Sequence, residues 1–188
     1  MRLLAPIFLV AAVPVFGFMA VHHDQHGNEH RLGRIASEIA GRDVDVRCPG
    51  VLQRLVDVSP NAGSVYFAAD GQPGDYTELD DETCAALDDY AEGHTDAGDV
   101  PRVARAMHVL AHESWHLAGV RDEAAADCFG LQRTAFVAEA LGADPSDARG
   151  FAQLALAERA QTAPPEYRSP ECHDGGALDL DLDSTVWP

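Results

Sequence analysis

Two helices in close succession are marked out between Asp99 and Gly142, and the stop of the first lies only a few residues before the start of the second. Asp99 followed by Pro101 is the expected order at a helix start, a capping residue and then a proline in the first turn. Val103, Met107, Leu110 and Leu117 recur at helical spacing, and Gly119 supplies the stop. Asp122 then stands as the cap of a helix continuing to Leu141, with Gly142 ending it. A third helix fits Ser146 to Ala160, broken ahead of Pro164 and Pro165.

The first half is more mixed. Leu32, Ile35 and Ile39 predict a helix over Glu29 to Ala40, closed by Gly41. Val44–Arg47 and Ser64–Ala69 are rich in β-formers, and the turn-forming run Asp70–Asp75 can close a hairpin onto Tyr76–Leu79. A short helix is expected from Asp80 or Asp81 through Tyr90. The class is therefore α+β, with a mainly helical second half and a small β-sheet or hairpin in the first.

With 188 residues, 46% of them hydrophobic, the chain can bury one substantial core. Its 31 acidic residues against 13 basic ones leave a net charge of -18, which excludes nucleic acid as a partner and disfavours anionic lipid surfaces. Arg2 and the apolar run Leu3–Val21 read as a signal peptide or an N-terminal membrane anchor, so residues 3–21 are a possible tether and the rest is expected outside the cytoplasm. Four cysteines in an exported domain form two bridges. Three pairings exist, and Cys48–Cys84 with Cys128–Cys172 is preferred because each ties neighbouring segments. Residues 22–30, with four histidines, read as a hydrated linker, residues 31–174 as the domain, and residues 175–188 as an exposed acidic tail.

The chemistry concentrates in HESWH, His112 to His116. Histidines four apart share one helix face about one turn apart, so both imidazoles can reach one tetrahedral ion. Glu113 lies about 100° around the axis from His112, beside such an ion rather than on it. Neutral imidazoles leave positive charge on Zn²⁺ to acidify a water, and a neighbouring carboxylate can take and return the proton. A catalytic zinc needs a third protein ligand. Past the turn at Gly119, three acids arrive: Asp122, Glu123 and Asp127. Glu123 and Asp127 share a helix face, so one can bind the ion while the other accepts a hydrogen bond from a ligand histidine. His108 extends the histidine stripe but sits about 12 Å along the axis from His116, which makes it a packing or supporting residue. Trp115 is expected in the core.

HESWH followed by EAAAD, Glu123 to Asp127, resembles the gluzincin group of zinc metallopeptidases. The resemblance covers residues 101 to 142 and implies a zincin-like fold. It makes His112, His116 and Glu123 the metal ligands, Glu113 the general base, and Asp127 a support for a ligand histidine. Only seven positions separate Glu123 from His116, fewer than in most gluzincins. HESWHLAGVRD also fits the metzincin variant in which Asp122 is the third ligand; that group carries a downstream methionine turn, whereas Met1, Met19 and Met107 all lie upstream. Glu123 is preferred for that reason. The implied activity is that of an exported zinc-dependent metalloendopeptidase acting on a peptide or protein substrate through a zinc-activated water. The alternatives are a non-catalytic extracytoplasmic zinc-binding module and a membrane-tethered interaction domain without metal. Tyr66, Tyr76, Tyr167 and His173 are candidates to stabilise an oxyanion, with spacing selecting none of them, and Ser64–Ala69 is the candidate edge strand for a substrate backbone.

Overall fold

Helix α3, Val100–Leu117, is the element around which the others assemble. It packs against α1 (Val13–Ala40), α2 (Asp81–Ala91), α4 (Glu123–Ala140), α5 (Pro145–Thr162) and the strands β2 (Gly63–Phe67) and β3 (Pro73–Leu79). Its apolar positions explain why: Val103, Met107, Leu110, Ala111 and Leu117 are fully buried. Each large side chain so removed from water contributes about 1.5–3 kcal/mol. The computed structural model describes residues 13–50, 61–184 and 186–188, with side chains from Gly27 onward.

Among the described residues the structure is α+β, with five helices, a three-stranded sheet and a 3-10 turn at Pro165–Tyr167. The expected hairpin is present. Ala68 N donates to Gln72 O, and Gly71 takes φ 83°, the left-handed region that favours glycine. Strand β3 is central, pairing antiparallel with β2 (Ser64 opposite Glu78) and parallel with β1, Asp45–Arg47 (Val46 opposite Thr77). The order β1-β3-β2 leaves β2 at an edge.

Helix ends follow the local signals with one exception. Asp80, Asp122 and Asp144 each accept a hydrogen bond from a backbone N–H in the first turn of α2, α4 and α5. Asp99 occupies the cap position of α3 but makes no side-chain cap bond; its carboxylate lies 3.6 Å from Arg102 Nε instead.

Both preferred disulfides form, Cys48–Cys84 and Cys128–Cys172, and among the described residues no cysteine is free. Such pairing fits an oxidising, extracytoplasmic environment. Among the described residues no helix is long and apolar enough to cross a membrane. The expected signal or anchor, residues 1–21, falls mainly outside the described part. Residues 22–30, read above as a linker, continue the backbone of α1, and Asn28 is already buried. The acidic tail forms no strand among the described residues. It folds back as coil, with Gln132 bridging Leu178 O and Leu180 N and Gln153 donating to Trp187 O.

Candidate metal centre

The α3 and α4 helices meet where a side chain is missing. A Cβ built on Gly130 would stand 3.0 Å from His112 N and 3.1 Å from His112 Cα, so a larger residue would press on the α3 backbone and push the helices apart by a few tenths of an ångström. The contact carries the first turns of α4 alongside the histidine face of α3.

There His112 Nε2 and His116 Nε2 lie 2.9 Å apart. Glu123 Oε2 is 3.2 Å from the second and 3.3 Å from the first. Four ligands held tetrahedrally at zinc distances are separated by about 3.3–3.4 Å, so this triangle is close to one face of such a shell. His116 Nδ1 is 2.6 Å from Val120 O. A carbonyl only accepts, so Nδ1 carries the hydrogen and Nε2 presents its lone pair to the triangle. A proton on His112 Nε2 can satisfy one of the three contacts; a cation satisfies all of them. Asp122 is elsewhere: its carboxylate accepts from Ala125 N at 2.8 Å and lies outside the group.

The two histidine side chains are under 9% exposed and that of Glu123 is 41% exposed, so the triangle opens to solvent on the glutamate side. Burial pushes His112 below the usual imidazole range, which favours its neutral, metal-binding form. The hydrogen bond from His112 holds the Glu123 carboxyl below its ordinary range, against a smaller effect of burial.

Glu113 is buried, and its Oε2 has no hydrogen-bond partner among the described residues. Burial, with the charge of Glu123 adding to it, pushes its carboxyl up to about 8. It lies under β2. A Cβ on Gly63 would come within 2.6 Å of Glu113 Cγ and 2.8 Å of its Oε1. A Gly63→Ala change is expected to cost about 1–3 kcal/mol through overpacking, read as a lowered midpoint in denaturant.

Asp127 reaches the stripe from beneath. Its Oδ1 accepts from His108 Nε2 at 3.1 Å and from Arg159 Nη2 at 2.6 Å, and lies 3.9 Å from His112 Nδ1. The support expected for a ligand histidine is thus given directly to His108, and to His112 only at longer range. Burial raises the Asp127 carboxyl, but His108 and Arg159 together bring it below its ordinary value.

Of the four oxyanion candidates, Tyr167 alone reaches this place. Its ring stacks on His112, centroids 5.7 Å apart and planes 28° from parallel. Burial and the charges of Glu123 and Glu113 push its phenol up. Tyr66 is 71% exposed, Tyr76 stacks under Arg47, and His173 bonds the carbonyl of its own neighbour Asp174. Trp115 is only partly buried, packed against Phe129 at 5.0 Å. Arg159 carried no sequence signal at all; nothing in its local pattern connects α5 with the histidines.

Fold and site together define an α+β domain, helix-rich in its second half, whose buried His and Asp and partly exposed Glu side chains form groups that can hold a metal ion. Compared with models of known protein families, with curated proteins and with solved structures, the chain matches none. The gluzincin resemblance accordingly rests on HESWH and EAAAD and on the geometry these residues adopt.

Proposed function

We propose that the protein is an exported zinc-dependent metallopeptidase, with His112, His116 and Glu123 as ligands and Glu113 as general base. The observation that carries this reading is the convergence of two imidazole nitrogens and one carboxylate oxygen beside a buried carboxyl whose Oε2 has no partner among the described residues. A zinc ion bound there supplies Lewis acidity, polarising a carbonyl and easing the ionisation of water near neutral pH.

The protein's own groups divide the remaining work. Val120 O keeps the His116 proton on Nδ1, leaving Nε2 free as a ligand. Glu113, whose Oε2 has no hydrogen-bond partner among the described residues, takes a proton from the attacking water and passes it to the departing amine. Tyr167 is the phenol best situated to donate to the carbonyl oxygen as charge develops on it. The edge of β2 that no strand pairs among the described residues, and whose Gly63 covers Glu113, suits an extended peptide that adds a strand.

A purely structural zinc would call for a fourth protein ligand. Two candidates of the right kind on α4 are engaged otherwise. Cys128 is in a disulfide, and Asp127 Oδ1 already serves His108 and Arg159. That speaks for the catalytic reading over the zinc-binding module.

Metal analysis and peptide hydrolysis of the purified full-length protein test it. The expected result is one zinc per chain and hydrolysis that a chelator abolishes and added zinc restores. A protein that takes up no zinc after reloading ends the proposal.

A further inference from the structure

Arg159 belongs to neither helix of the metal group. It lies on α5, yet its side chain reaches beneath the histidines and is only 20% exposed. One guanidinium makes two contacts there. Nη2 donates to Asp127 Oδ1 at 2.6 Å, the atom that also bonds His108 and faces His112 Nδ1. Its Cζ lies 5.2 Å from the ring centroid of Tyr167, and that ring stacks on His112.

Two paths therefore leave the same guanidinium and end on the same imidazole, one at the Nδ1 edge and one at the ring face. Without Arg159 the buried Asp127 carboxylate would face two imidazoles with no fixed cation, an arrangement that burial penalises heavily. A second consequence concerns His108, His112 and Asp127, which also lie close enough together to hold an ion. The guanidinium already sits 2.6 Å from Asp127 Oδ1 of that trio, where it competes with a second cation for the carboxylate.

We propose that Arg159 is the positioning residue of the metal centre, holding the His112 ring through Asp127 and Tyr167 so that Nε2 faces His116 and Glu123. This rests on the metal-site reading above. A salt bridge that merely joined α4 to α5 would affect stability and leave the ion's surroundings unchanged. A positioning residue alters the ion's affinity and its ligand field.

The two contacts also respond differently to lysine. An ammonium can still pair with Asp127 as a point charge, but it has no planar face to set against Tyr167. The test uses the full-length protein loaded with zinc or cobalt(II), as wild type, Arg159→Gln, Arg159→Lys and Tyr167→Leu. Zinc affinity is read by competition with a chromophoric chelator, and the ligand field by the visible cobalt bands.

Arg159→Gln is expected to weaken zinc by about 10–100-fold and to displace the cobalt bands. Arg159→Lys should recover most of the affinity while keeping the band displacement of Tyr167→Leu. Wild-type affinity together with a wild-type cobalt spectrum in Arg159→Gln overturns the proposal. Should that variant not fold, an Arg159→Lys spectrum identical to wild type overturns it alone. A wild type that binds neither ion sinks the metal-site reading itself, a different result from metal binding that is indifferent to Arg159.

Discussion

Replacing Glu113 by glutamine is expected to leave zinc bound and to lower peptide hydrolysis by about 10²–10⁴-fold, the usual contribution of a general base. The two side chains have nearly the same shape, and Glu113 is not among the atoms that converge on the ion's position. The amide cannot accept the proton. Structural damage should be small, because Glu113 Oε2 has no hydrogen bond among the described residues to lose. Zinc content, unfolding midpoint and turnover must be measured on the same preparation. An E113Q protein that cleaves at the wild-type rate removes Glu113 from the mechanism, and one that loses its zinc makes the residue part of the metal's support.

The second large effect separates two adjacent acids. Glu123→Ala deletes one corner of the triangle and should weaken zinc by more than the roughly 10–100-fold typical of an outer partner. Asp122→Ala should keep the ion and lose about 0.5–2 kcal/mol of stability, the usual cost of a helix cap. Competition with a chelator reads the first quantity and denaturant unfolding the second. The opposite pattern would move the third ligand to Asp122 and favour the metzincin-like spacing over the gluzincin-like one.

Why the two acids part company is visible in the chain only in outline. Asp122 has the residue type of a cap, and the start of α4 is where a cap is needed. The capping carboxylate is turned onto Ala125 N and lies outside the converging group. The sequence alone makes both candidates, because each lies shortly after the same glycine turn, and prefers Glu123 only for want of a downstream methionine. Trp115 and His108 show the same division. Its large apolar ring predicts Trp115 in the core, yet its position on α3 leaves it only partly buried, against Phe129. His108 was set aside from the ion by axial distance, and it does face Asp127 instead.

Relations within one helix or one turn could be read directly. The shared face of His112 and His116, the glycine stops at Gly119 and Gly142, the cap at Asp122 and the hairpin at Asp70–Asp75 follow from backbone geometry that repeats every few residues. The parallel pairing of β1 with β3, the close approach at Gly130, and the arrival of Arg159 and Tyr167 at His112 came from packing. No fixed sequence separation encodes such meetings, because each depends on how whole faces of different elements bury against one another.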